Sequence, residues 1–271
     1  MRSRPRKRLK KTSLNKRPSG RVSAWGSTNV GLKRDNNEDN YIIDSNLQLY
    51  IVADGMGGHA GGAVASRMAI ELVRETLTKT YHERSLFNPQ AAHDESSEIL
   101  QLLKDAIRAA SWGIYEFSNQ RIDLAGMGTT LTMMLVYGKR GYVAHVGDSR
   151  LYRLRNSTLE QLTEDHSLVQ EQVRAGFLTR EQAHNSRFRN IITRSVGFES
   201  QVNADSFSLL LSSGDVFLLC SDGLSGMIED REIAKILRQG KLSNATSRLV
   251  ALANQHGGED NITLILLRYQ S

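Results

Sequence analysis

The chain has 271 residues, 39% of them hydrophobic, enough for one large domain or two small ones with an ample core. Its formal net charge of +6 is gathered at the start: residues 1–21 carry ten Lys/Arg and no Asp/Glu, and without them 25 basic residues face 29 acidic ones. A net of −4 over residues 22–271 excludes reading the positive total as the mark of a nucleic-acid-binding fold, and the single cysteine, Cys220, excludes an intrachain disulfide.

Residues 1–20 are rich in Arg, Lys and Ser and poor in large apolar side chains, so a disordered tail is expected there. Such a tail is either a solvated extension or an electrostatic contact for anionic lipid, nucleic acid or an acidic partner. No apolar segment follows it as in a secretory signal, and no apolar run reaches the roughly 18 residues of a membrane span. With one cysteine, a reducing cytoplasmic location is the expectation.

From Val22 the texture changes. Val22–Ser27, Tyr41–Asp44 and Leu49–Ala53 are short β candidates separated by Asn/Asp/Gly turns. A helix is predicted over residues 62–80, where Ile70, Val73 and Leu77 recur at helical spacing. A second helix is predicted over 95–119, with Ile99, Leu102, Leu103, Ala106, Ile107 and Ala110 on one side. Three strands follow at Thr130–Tyr137, Gly141–Val146 and Leu151–Arg155, with connections short enough to suggest antiparallel neighbours. Residues 165–200 are polar and partly helical and read as a mobile insertion. Strands resume at Ser206–Leu211 and Val216–Cys220. Helices at Asp230–Gln239 and Ser243–His256 then precede a last strand, Thr263–Arg268. This order suggests an α+β fold of two antiparallel sheets with helices packed outside.

Five acidic motifs punctuate these elements: Arg34–Asp39, Asp54–His59, Asp123–Thr130, Ser221–Leu224 and Glu259–Asn261. Asp54 follows the apolar run Leu49–Ala53, so it should emerge at a strand end, and Gly55, Gly57 and Gly58 let the chain turn and a carbonyl approach an ion. Asp222 repeats the design after Val216–Cys220, and Asp260 stands just before the last strand. Carboxylates from distant segments are costly to gather without a compensating cation. Oxygen-only ligands favour Mg²⁺ or Mn²⁺, and two such ions about 3.5–4 Å apart activate a bridging water for attack on phosphorus. Arg34 offers a bidentate fork for a phosphate dianion.

Other chemistries fail on the letters. The Asp35–Asn40 run opens like an EF-hand loop, but Asn40 stands where Gly is needed and Asn46 where the closing Glu belongs. The glycines at 55–62 lack the GK[ST] of a P-loop, and Ala60 breaks GxGxxG. His82-Glu83 has no second His at zincin spacing, and Gly226 occupies the place of the Arg that a cysteine phosphatase would need after Cys220. Cys220 and His145 read as core residues, and Asp165 and Asp215 as turn residues.

Taken in order, the five motifs closely resemble the bacterial form of the PP2C (PPM) family of metal-dependent protein Ser/Thr phosphatases, over about Val22–Arg268. The resemblance implies a central β-sandwich of two antiparallel sheets flanked by helix pairs, with metals in a cleft at one end. It implies one phosphatase domain over 22–271 behind the tail at 1–21. Asp54 would bridge two Mn²⁺ or Mg²⁺ ions, with the Gly55 carbonyl as a further ligand. Asp222 and Asp260 would hold the first ion, Glu38 and Asp39 the second, and Asp123 with Asp222 a third, weaker one. Arg34 would bind the substrate phosphate. Residues 165–197 match the flap that shapes access for protein substrates, and Gly147–Arg150 and Thr193-Arg194 match supports of the cleft.

The sequence departs from some members of that family at Met56, where they carry a His proposed to protonate the leaving oxygen. A thioether donates no proton, so metal-bound water or another group must serve, and His59 is the nearby alternative. The implied activity is one-step hydrolysis of phosphoserine and phosphothreonine on proteins, opposing a Ser/Thr kinase. The alternative is a weakly active regulator that binds phosphoproteins on the same fold. A monomer is the family-like expectation.

Overall fold

The computed structural model describes residues 20–57, 61–84 and 95–271. The predicted tail up to residue 19, and His59, lie outside the described residues. In chain order the strands are β1 (Arg21–Asn29), β2 (Asp39–Asp44), β3 (Leu49–Met56), β4 (Gly128–Thr129), β5 (Leu131–Tyr137), β6 (Arg140–Val146), β7 (Arg150–Arg155), β8 (Thr158–Gln161), β9 (Asp205–Leu210), β10 (Val216–Cys220) and β11 (Ile262–Gln270). The helices are α1 (Gly61–Arg84), α2 (Glu95–Asn119), α3 (Leu168–Arg174), α4 (Arg180–His184), α5 (Asp222–Ser225), α6 (Asp230–Arg238) and α7 (Leu242–Gln255).

Two antiparallel sheets stack face to face. One runs β1-β11-β10-β7-β8; the other runs β2-β3-β5-β6-β9, with β4 paired to β3. Strand alternation explains the layering. Leu49, Ile51 and Ala53 of β3 pack with α1 and α2, while Tyr50 and Val52 point the other way and meet Leu219, Ile265 and Leu267 between the sheets. On the far sheet Leu218, Cys220, Leu264 and Leu266 face outward under Ile233, Leu237, Leu249 and Ala253 of α6 and α7. Both faces of the central strands are therefore buried, which is why Leu49–Ala53 and Val216–Cys220 read as continuous apolar runs. The architecture is the expected α+β sandwich with a helix pair on each side.

Three sequence expectations need correction. β3 does not end at Ala53: Gly55 and Met56 pair with Thr129 and Gly128, so Asp54 lies within the strand, opposite Asp39 in register. Strands β5 and β6 are antiparallel neighbours, but β6 and β7 are not, because β7 pairs with β10 and β8 in the other sheet. The chain changes sheets at Gly147, where φ is +107 and an added Cβ would lie 2.6 Å from the Thr130 side chain. Finally, Asp165 is no simple turn residue. It receives a fork from Arg150, Nε to Oδ1 at 2.9 Å and Nη2 to Oδ2 at 2.7 Å, and a further bond from Gln161 at 3.0 Å. Asp215 does hold its turn, accepting from the Ser212 amide at 2.8 Å, and it also receives Arg155.

His145 and Cys220 are core residues as expected, 1% and 0% exposed. His145 Nδ1 lies 2.9 Å from Thr132 Oγ1 and Nε2 lies 3.1 Å from the Glu164 carbonyl. Burial, then the neighbouring His166, pushes its pKa down to about 4. An unfolded His titrates near 6.5, so the folded state binds fewer protons between those values. Its contribution is complete above pH 6.5 and is lost as pH falls toward 4, by about 3 kcal/mol in all. Relative to His145→Gln, the wild type is expected to lose its unfolding free-energy advantage over that window in urea titrations. A gap that does not change with pH contradicts this assignment.

Candidate active site

The cleft at one end of the sandwich has a volume of about 600 Å³ and is lined by Arg34, Glu38, Asp54, Gly55, Asp222 and Asp260, with Lys33, Asp35, Met56, Asn190, Ile192 and Asn261 among its other walls. Six of the eight residues singled out from the sequence thus share one surface. Each arrives by a separate element. Asp54 sits in β3, Asp222 opens α5 directly after β10, Asp260 precedes β11, and Arg34 and Glu38 lie in the loop between β1 and β2.

The backbone of Asp54 is held rigidly. Its amide donates to Thr130 Oγ1 at 2.9 Å, and its carbonyl accepts from the Thr130 amide and Thr129 Oγ1, each at 2.8 Å. Thr130 Oγ1 in turn lies 2.8 Å from Ser149 Oγ. Gly55 admits no side chain, because a Cβ there would collide with the Gly62 carbonyl and approach the Glu38 carbonyl at 2.6 Å. Asp39 is 5% exposed and lies behind the cleft surface, accepting from Ser221 Oγ at 2.8 Å. Asp123 is exposed on the short 3-10 turn Ile122–Leu124 and is not among the residues lining the cleft.

Sequence reasoning missed the roles of two supports, Asn261 and Ser221. Asn261 accepts from the Glu38 amide at 2.7 Å and donates to the carbonyls of Val30 at 2.9 Å and Asn36 at 3.0 Å, tying the Arg34 loop to the Asp260 segment. Ser221 ties β10 to Asp39. Asp148 is 7% exposed and electrostatically coupled to Asp222. The only sequence signal for the first two was their membership of an acidic motif; Asp148 belongs to Gly147–Arg150, the run that the resemblance marked as a support of the cleft.

The electrostatics are those of a site built for cations. Burial first, then repulsion from Asp39 and Asp222, holds the Asp54 carboxyl well above the usual range. Asp222 is raised by burial and by Asp260, and Asp148 by burial and by Asp222. Burial pushes Asp39 up to about 7. Glu38 is raised by burial as well. One oxygen of each of Asp39, Asp148 and Asp222 is buried with no hydrogen-bond partner among the described residues. Buried carboxylate oxygens without donors are costly, and a divalent cation satisfies them. Among the described residues no three acidic or His/Cys side chains already close around one point. A hard ion of the Mg²⁺ kind does not need such a cage, since it keeps several waters and takes one or two carboxylates. The donor set therefore fits oxygen-loving divalent ions.

Arg34 Nη2 donates to Asp260 Oδ2 at 2.7 Å, and this contact raises the Arg34 pKa. The guanidinium is half exposed to the cleft. It is thus held over the carboxylates with donors left for an incoming dianion. The far wall comes from the segment between β8 and β9. Thr129 exchanges both backbone hydrogen bonds with Val196, at 3.0 and 2.8 Å, which fixes the end of that segment beside Asp54.

Residues 33–263 match the sequence profile of the protein phosphatase 2C family. The chain is 40% identical over 244 residues to the serine/threonine phosphatase stp of Listeria monocytogenes, covering 89% of this chain and 93% of that one. It superposes on the serine/threonine phosphatase PstP/Ppp of Mycobacterium tuberculosis with a TM-score of 0.81 at 35% identity, over 92% of this chain and 99% of that one. A catalytic domain of PstP in complex with two manganese ions matches with a TM-score of 0.80 at 34% identity, over 93% and 100% of the two chains.

Proposed function

The chain belongs to the protein phosphatase 2C family and is a protein serine/threonine phosphatase, and from that premise we propose which residues carry the reaction and with which ions. Asp54, Asp222, Asp260, Glu38 and Asp39 would hold two divalent ions between them, with the Gly55 carbonyl as a further donor. The observation that carries this reading is the gathering of buried, mutually repelling carboxylates with donorless oxygens at one end of the sandwich. The two manganese ions of the PstP relative support Mn²⁺, with Mg²⁺ chemically equivalent for this donor set. When bound, the ions supply an activated water at neutral pH and neutralise charge on the phosphoryl group.

The chain's own residues supply the rest. Arg34 binds two phosphoryl oxygens and orients the ester for in-line attack in one step, without a phosphoenzyme. Thr129 and Thr130 keep Asp54 from moving as charge develops. Met56 lines the cleft and cannot protonate the leaving oxygen, so that proton comes from water or another group. Asp123, exposed on its turn, and Asp222 would hold a third, weaker ion. Residues 165–197 act as the flap for protein substrates.

Among the described residues no helix is long and apolar enough to cross a membrane. We assign the enzyme to the cytoplasm as a monomer, acting on phosphoproteins made by a Ser/Thr kinase. Its basic segment at 1–21 contacts anionic lipid or nucleic acid, a contact that moderate salt or deletion of those residues would abolish.

Arg34→Ala is expected to lower kcat/KM for a phosphothreonine peptide by about tenfold to a hundredfold, mainly through KM. Arg34→Lys should restore little of it, since an ammonium cannot form the fork. Steady-state kinetics of both variants decide this: unchanged KM in the alanine variant removes Arg34 from phosphate binding.

A further inference from the structure

Two segments bordering the cleft set an exposed apolar side chain beside an exposed cation, and we propose that this surface selects phosphorylated segments flanked by acidic residues and an apolar side chain. The inference rests on the phosphatase reading above and specifies its substrate class. On one rim Leu32 is 64% exposed and is followed by Lys33 and Arg34, which line the cleft. In the segment between β8 and β9, Asn190 and Ile192 line the cleft, while Phe188 and Ile191 beside them are 41% and 45% exposed.

Charge decides what kind of segment fits. Residues 168–194 hold five Arg and two Glu in a domain whose residues 22–271 are net negative; Arg194 is held by Asp205 at 3.0 Å, which leaves Arg187 and Arg189, next to Asn190, as the cations beside the cleft. The Arg187 guanidinium lies 4.6 Å from the centre of the Phe188 ring. Stacking holds its plane and leaves its edge free for a carboxylate, at a smaller entropic cost than for a free side chain. Arg189 reaches Glu259 at 3.6 Å, an exposed and weakly held pair that an acidic substrate residue can displace. Asp35 and Glu38 are the acidic residues of the same loop as Lys33 and Arg34, and Glu38 is one of the carboxylates assigned to the ions. The apolar side chains give such a segment an anchor, since exposed Leu, Ile and Phe gathered around one cleft are the usual mark of a contact surface.

Two phosphothreonine peptides of equal length separate this from a site blind to flanking sequence: one with Glu/Asp and a Leu beside the phosphothreonine, one with Lys/Arg and Ser there. Wild-type enzyme with Mn²⁺ is expected to show kcat/KM about tenfold higher for the acidic peptide at low ionic strength, with the ratio shrinking as salt is added. Fluorescence anisotropy should give the same order of affinities. In Arg187→Glu/Arg189→Glu the ratio should fall to about one or invert. A wild-type ratio of one or below, equal affinities, or a ratio unchanged in the double variant would overturn the proposal. Hydrolysis of para-nitrophenyl phosphate by the wild type reports the chemistry separately. Turnover of that ester without peptide discrimination sinks the substrate class alone, whereas no turnover of any ester sinks the phosphatase assignment.

Discussion

Replacing Asp222 by Asn is expected to abolish phosphatase turnover and, in the metal-free protein, to raise the melting temperature. Both follow from one geometry. Asp222 lies at the end of β10, with burial and the Asp260 charge raising its carboxyl above the usual range and one oxygen without a donor. Removing its charge removes a ligand from the proposed first ion and a repulsive partner from its neighbours Asp148 and Asp54. The first effect should cost roughly a thousandfold or more in kcat, about 4 kcal/mol of transition-state stabilisation. The second should add on the order of 1 kcal/mol to metal-free stability, because buried like charges oppose folding. Kinetics with Mn²⁺ and calorimetry in excess EDTA measure the pair. A variant that loses activity through misfolding would melt lower, which distinguishes a structural residue from a functional one. Near-wild-type turnover would refute the metal assignment.

The ion pair at the start of the segment between β8 and β9 should dominate stability in the same way that Asp222 dominates activity. Arg150 forks onto Asp165 and also donates from Nη1 to the Tyr152 hydroxyl at 2.9 Å. The two side chains are 27% and 14% exposed, so solvent screens the pair only partly. Asp165→Ala leaves the guanidinium half-buried without its counter-charge, at a cost of about 3 kcal/mol. Replacing both partners, Arg150→Met with Asp165→Leu, should cost much less than the sum of the single changes, since neither charge is then stranded. Urea denaturation of the four proteins tests this. Additive losses would mean that the fork contributes nothing beyond its separate side chains.

The residues that were legible in the sequence share a physical reason. Leu49–Ala53 and Val216–Cys220 are buried on both faces, so they appear as unbroken apolar runs, and helix α1 turns an apolar stripe to β3 while α2 turns one to β6 and β9. The carboxylates of the cleft stood out because each follows such a run or sits among turn residues. What could not be read was long-range pairing. Nothing local distinguishes the β5–β6 connection, a hairpin, from Gly147–Ser149, where the chain crosses to the other sheet. The extension of β3 through Asp54 depends on β4, a two-residue strand from a distant segment. Asp165 looked like a turn residue because its partner, Arg150, lies fifteen positions away, at the start of β7 with β8 in between.

Release of inorganic phosphate from a phosphothreonine peptide, measured with the wild-type chain in Mn²⁺ and again after excess EDTA, tests the central claim most directly. The account predicts turnover with Mn²⁺, its loss in EDTA, and its return when Mn²⁺ is added back. Turnover that persists in EDTA, or its absence from a folded protein that binds Mn²⁺, would contradict it; the second result would leave a phosphoprotein-binding regulator on the same fold.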